Sequence, residues 1–256
     1  RSSDLYWTEN GTKHYVGFLP PNGAGLQITA NNCITGGGFL EWGRPPNLNE
    51  HFAGVLYLNI YGFEVTAFGI HELTGSPGDA ERKTSFVMVL GIRFSPGIQL
   101  GFGFTITGFG GLIGINRRAD TDALRERLTS GATGNVLFAE DPIRNAPALL
   151  GDLGALFPAA DGVYVFGPTI QISWLKIANF KVFKIDVGLF FEITVSSLTK
   201  IVLLGSVRAT IPDLRDDVPK LLQLRFDVVV FVDFPKSIVE VDATLISSKV
   251  LYTFHL

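Results

Sequence analysis

Cysteine is almost absent: Cys33 is the only one in 256 residues. A single thiol excludes an internal disulfide and a thiolate metal cage, and leaves a buried free thiol as the simple reading. Methionine is as scarce, with Met88 alone. Charged residues make up 18% of the chain, against the quarter or so usual in soluble domains. Lys plus Arg number 21 and Asp plus Glu 24, a net charge of −3, and no basic run is longer than Arg117-Arg118. Nucleic-acid binding needs a positive patch, so no nucleic-acid partner is expected. No apolar run approaches the roughly 20 residues of a membrane helix, and no signal-peptide pattern opens the chain.

Catalytic signatures are missing as well. Gly101 and Gly103 begin a dinucleotide fingerprint whose third glycine would fall where Ile106 stands. Gly111-Leu-Ile-Gly114 lacks the Lys-Ser/Thr of a phosphate loop, so the glycine-rich stretch reads as strands that bend and approach closely. His71-Glu72 opens a zinc-protease pattern, but Gly75 stands where the second histidine belongs. His14, His51 and His255 lie far from it and from each other. No Gly-x-Ser-x-Gly elbow is present. Two acidic pairs, Asp120 with Asp122 and Glu140 with Asp141, read as negative charge at helix N-termini. Asp213–Asp217 around Arg215 reads as a solvated turn, and Asn10-Gly-Thr12 is one weak glycosylation match. No catalytic residue, metal or cofactor is expected, and the chain is read as non-enzymatic.

What the sequence has is apolar and periodic. Hydrophobic residues are 46% of the total, with 29 glycines and 21 phenylalanines. Period-2 alternation, the mark of a strand with one apolar face, dominates. In 181–193, the odd positions Lys181, Phe183, Ile185, Val187, Leu189, Phe191 and Ile193 alternate with Lys184, Asp186 and Glu192. In 224–234, Leu224, Phe226, Val228, Val230, Val232 and Phe234 oppose Arg225, Asp227 and Asp233. The same pattern runs through 201–211 and 237–247, and in weaker form through 52–60, 63–70, 84–94, 98–107 and 163–174. Strands of 11 to 13 residues at about 3.3 Å each would be long, roughly 35–43 Å. The apolar stripes are expected to turn inward together, with the charged positions in water.

One helical island, 117–160, interrupts the strands. Asp120 can cap a helix over 121–130 that Gly131 closes, and Asn145-Ala-Pro147 can open a second through Phe157 with Leu149, Leu150, Leu153 and Leu156 as its stripe. Loops are expected at 22–25, 43–46, 75–78 and 212–219.

Several longer segments carry a resemblance. They are Thr35-Gly-Gly-Gly-Phe-Leu40, Val65-Thr-Ala-Phe-Gly69, the run from Gln99 to Arg117, Val136-Leu-Phe-Ala-Glu-Asp-Pro142, Asn145-Ala-Pro147 and Val165-Phe-Gly-Pro168. Across 31–174 the chain resembles an uncharacterised domain-of-unknown-function family found in very large bacterial proteins and some fungal ones. The resemblance implies a slice of a longer polypeptide and carries no catalytic residues. The missing start methionine and the strand-like final residues 250–256 point the same way.

The fold expected is mainly β: long antiparallel strands in a curved sheet or a barrel or groove, with a small two-helix insert, all in one domain over 1–256. The function expected first is a hydrophobic groove that binds or shields lipid or another apolar ligand, lined by Phe183, Leu189, Phe191, Phe226, Val230 and Phe234. A structural or assembly module with a filled core, joined to neighbouring domains through its sheet edges, stands second. A membrane-inserting β-protein stands third. Composition leaves the compartment open.

Overall fold

Alternating strands joined by short turns fold by pairing each strand with the next, and this chain does so eleven times over. A computed structural model describes residues 5–9, 12–16, 23–30, 34–43, 50–74, 82–130, 132–177, 180–211 and 222–250. Strands β1 (Leu5–Glu9) and β2 (Thr12–Val16) form a separate antiparallel hairpin. The main sheet contains β3 (Gly23–Ala30), β4 (Ile34–Gly43), β5 (Glu50–Ile60), β6 (Phe63–Thr74), β7 (Lys83–Gly101), β8 (Phe104–Arg117), β9 (Ala159–Ile177), β10 (Phe180–Thr194), β11 (Leu198–Ile211), β12 (Leu222–Asp233) and β13 (Ile238–Val250). Their spatial order is their chain order, every neighbouring pair is antiparallel, and the sheet is not closed. The mainly β class, the long antiparallel strands and the helical insert are as expected.

The insert lies between β8 and β9 as α1 (Thr121–Ser130), α2 (Ala132–Leu137) and α3 (Ala146–Leu156). Asp120 caps α1 as read: its Oδ1 accepts from the Ala123 N–H at 3.0 Å and its carbonyl from Leu124 N at 2.9 Å. Gly131 lies outside the described residues. In α3, Pro147 sits in the first turn and Leu149, Leu150, Leu153 and Leu156 are buried. The third helix, α2, was not expected, because six residues with an internal glycine carry too little periodicity to register.

Some boundaries move. The stretch 98–107, read as one strand, is split by a turn at Gly101-Phe102-Gly103, where all three residues have positive φ. Glycine adopts that region freely, and two of them flanking Phe102 let the chain reverse inside an otherwise continuous apolar pattern. The loop expected at 22–25 is occupied from Gly23 by β3. Residues 44–46, 75–78 and 212–219 fall outside the described residues. The sheet bends at β8: β7 and β9 come within 8 Å of each other there, closer than two interstrand spacings of a flat sheet, about 9.5 Å.

The side of the sheet that is covered is the reverse of the one expected. The helices pack on the face carrying Asp186, Phe190 and Glu192 of β10, all buried, and there the main core forms. Val87, Val89, Leu112, Val165, Phe190, Val202, Leu204, Val229 and Phe231 meet Leu124, Leu128, Leu150, Leu153 and Leu156 in it. Phe183, Leu189 and Phe191 point the other way and are only half-buried. Alternation tells which residues share a face. It does not tell which face a helix will choose, and the choice follows the apolar patch of Phe190, Val202, Leu204, Val229 and Phe231 set among the charged positions.

Candidate functional site: an open apolar sheet face

The register brings the apolar stripes of all eleven strands to one side. A single row of cross-strand partners runs Ala24, Leu40, Gly54, Gly69, Met88, Ile113, Phe166, Phe191, Ile201, Val232, Val239. Residues directly opposite in an antiparallel pair share a face, so the row is a section across one continuous surface. A parallel row carries Leu189, Leu203, Val230 and Val241. Neither row contains a charged residue. Among the described residues nothing covers this surface: Ile113 is 51% exposed, Phe166 43% and Val241 65%. Monomeric proteins rarely leave an apolar patch of this extent in water.

Within the face lies a depression of about 830 Å³ over β7, β8, β9 and β10. Gly111 and Pro168, cross-strand partners, form its floor, and Leu90, Ile113, Ile115, Phe166 and Ile193 its walls. The absent side chain at Gly111, beside the short ring of Pro168, leaves a gap that larger neighbours border. Tyr164 supplies the one hydroxyl at its margin. The glycine-rich stretch thus serves packing: a Cβ at Gly110 would overlap the Leu90 carbonyl oxygen and Thr169 Oγ1, so only glycine fits the bend.

Five of the six residues expected to line a groove belong to this side, and the sixth, Phe234, follows the end of β12. Phe183 packs on Trp174 with ring centroids 5.1 Å apart, and Phe191 on Phe166 at 5.9 Å. Phe191, Leu189 and Val230 fall in the rows above, and Phe226 joins through its partner Val207. Phe226 is 42% exposed, and Phe234, in the turn after β12, is 46% exposed. None of the six borders the depression; Phe191 reaches it only through Phe166. The lining residues of β7 and β8 were hidden because their pattern is diluted by glycine, though the alternation of Leu112-Ile113-Gly-Ile115 with the Gly111 gap is visible once the pairing is known.

Behind the depression, on the helix-covered face, runs a belt of buried polar groups. Thr107 Oγ1 donates to Gln171 Oε1 at 3.2 Å, and Gln171 Nε2 donates to Asp186 Oδ1 at 2.9 Å. Ser206 Oγ donates to Asp227 Oδ1 at 2.7 Å, and Arg225 Nη2 to Asp227 Oδ2 at 3.2 Å. Burial pushes the Asp186 carboxyl up, with Lys184, Arg208 and the Gln171 hydrogen bond pulling the other way. Asp186 and Asp227 stand on β10 and β12 with β11 between them, each tied to its own partners, so they do not form an acid–base pair. Burial likewise pulls the Arg117 guanidinium down, against Glu72, whose Oε2 accepts from Arg117 Nη2 at 2.8 Å.

The acidic pairs part company. Asp122 lies 3.6 Å from Arg125 in the first turns of α1. Glu140 caps no helix; it reaches across to Lys184 of β10 at 3.1 Å and to Arg208 of β11. Asp141 offers its carbonyl, not its carboxylate, to Asn145 N at 3.1 Å. The nearby sheet cations outcompete the weaker field of the α3 N-terminus. His51 sits 3.5 Å from Glu41 and His71 3.3 Å from Thr84 Oγ1. Among the described residues no group of three His, Cys, Asp or Glu could hold a metal ion. Cys33 and His255 lie outside them.

The family model for a family of unknown function, DUF6603, matches residues 3–256. The chain belongs to that family. The match takes in the four strands after Trp174 as well as the glycine-rich centre, so the family's domain includes the whole open face described above. No curated protein and no solved structure matches this DUF6603 chain.

Proposed function

We propose that this chain is a non-enzymatic module that holds acyl chains of lipids on its open sheet face, with the depression over β7–β10 as the binding site. The observation that carries this reading is the pair of charge-free apolar rows that the described residues leave uncovered from β4 to β13, with a depression of about 830 Å³ set among them. Ligand sites for apolar molecules are concave and lined mainly by hydrophobic side chains, with few polar groups, and the lining of Leu90, Ile113, Phe166, Pro168 and Ile193 has that character. The driving force is removal of apolar surface from water, about 25 cal/mol per Å². An acyl chain needs no hydrogen-bond partner, which suits walls that offer only one hydroxyl, on Tyr164.

The experiment is native mass spectrometry of the purified chain with organic extraction of whatever it carries, followed by titration with a fluorescent long-chain fatty acid. Co-purifying lipid, and saturable binding that Ile113→Asp weakens at least tenfold, are expected. A chain that is lipid-free in repeated preparations and takes up no fatty acid would overturn the reading. Leakage from liposomes without saturable binding would replace it with membrane insertion.

A further inference from the structure

The depression accounts for only part of the open face. Leu40 on β4 and Phe52 and Leu56 on β5 flank it on one side, and Phe226 on β12 with Val241 and Leu245 on β13 on the other; each is at least 40% exposed. An acyl chain seated over β7–β10 leaves both flanks in water. We propose that a second copy of this chain covers them, the two sheets packing face to face through their open sides.

The area argues for a protein cover. Eleven strands about 4.8 Å apart and an apolar band of about ten residues along each strand give a face of roughly 50 by 33 Å, near 1,700 Å². A stable dimer needs only about 800 Å² from each partner. Charge permits the partner to be an identical copy. An isologous contact sets a surface against itself, so any charge on it meets its own kind. Here the rows from β4 to β13 bear none; toward the β5 end of the face lie His71, beside Phe52 with ring centroids 6.2 Å apart, and Glu50, whose carboxylate accepts from Arg82. Lys184, Arg208 and Arg225 of the sheet sit on the opposite side, where they meet Glu140 and Asp227. Two sheets with apolar inner faces pack about 10 Å apart, and such packing would turn the two depressions toward each other as one enclosed apolar chamber. This contact stands whether or not the chamber holds lipid.

Sedimentation equilibrium of the purified chain at micromolar concentration tests it, with lipid content measured on the same samples. A dimer is expected. Leu56→Asp and Val241→Asp, one on each flank and both outside the depression, are expected to raise the dissociation constant at least tenfold each, while Arg144→Ser on the helical side leaves it unchanged. Circular dichroism reports whether each variant folds, and the milder Val239→Thr replaces any that does not. A monomer at these concentrations overturns the proposal, and if that monomer carries lipid or detergent the acyl-chain reading stands without it. A dimer indifferent to both flank substitutions overturns it too. A dimer that is free of lipid and takes up no fatty acid sustains the contact and removes the acyl-chain reading.

Discussion

Glu140 sits between two cations that the sheet holds out to it. Partial burial pushes its carboxyl up, but Lys184 and Arg208 outweigh that and hold it at about 2. A carboxylate whose value falls on folding adds stability above its ordinary 4.5, and that stability drains away as the pH drops from there toward 2. Its side chain is 56% exposed, so solvent screening keeps the contribution below about 1 kcal/mol. In Glu140→Gln the fall in melting temperature across that acid window should be shallower than in the parent, as a calorimetric pH series would show. Asp186 behaves in the opposite sense. Its buried carboxyl titrates above its ordinary value, so its protonated form favours the fold: that stability is full below 3.8 and is lost as the pH rises through the elevated value. Asp186→Asn keeps an acceptor for Gln171 Nε2 and removes the buried charge, so its melting temperature at pH 7 should exceed the parent's; an equal or lower one would show that Arg208, 4.0 Å away, repays the burial. Neither role was legible beforehand. Asp186 looked like one more solvated position of an alternating strand, and Glu140 looked like a helix cap. Both depend on partners tens of residues away.

Among the elements, α1 and α3 were the most readable and the turns the least. The stripe of α3 and the cap of α1 depend on neighbours within a few residues, and both hold as read. Leu153 is fully buried where α3 meets the sheet. Leu153→Ala should cost about 2–5 kcal/mol, measured by urea unfolding, because it opens a cavity in the core that joins the insert to the strands. A cost below 1 kcal/mol would mean that the insert only rests on the sheet. Strands β10 to β13 were legible from alternation alone. The reversal at Gly101–Gly103 was not, since Ile98, Leu100, Phe102, Phe104 and Ile106 keep period 2 straight through it. At Gly167 a Cβ would overlap the Leu189 carbonyl oxygen, so β9 tolerates glycine alone beside β10. That constraint comes from a strand paired across the sheet, and local propensity has no sight of it.

In the molecule taken whole, the decisive fact is an eleven-stranded sheet that the described residues cover on one side only. A ligand that binds the folded state alone raises its stability by an amount set by saturation, about 2.7 kcal/mol at a hundredfold excess over the dissociation constant. A long-chain fatty acid should therefore raise the melting temperature in a dose-dependent way, and Phe166→Ser, at the wall of the depression, should blunt the rise. A short-chain acid of the same charge should leave it flat. A shift that both acids produce equally would assign the effect to the carboxylate and not to the apolar face.

That the chain is β-rich, where its long strands and two main helices lie, and which side chains share a face can all be read from the amino-acid order, because each follows from periodicity and caps spanning a few residues. Which face the helices cover was settled by the assembled sheet. Both faces carry apolar residues, and the insert docks where Phe190, Val202, Leu204, Val229 and Phe231 from different strands come together. That meeting exists only once β10, β11 and β12 are side by side, and with it the described residues leave the longer apolar stripes uncovered.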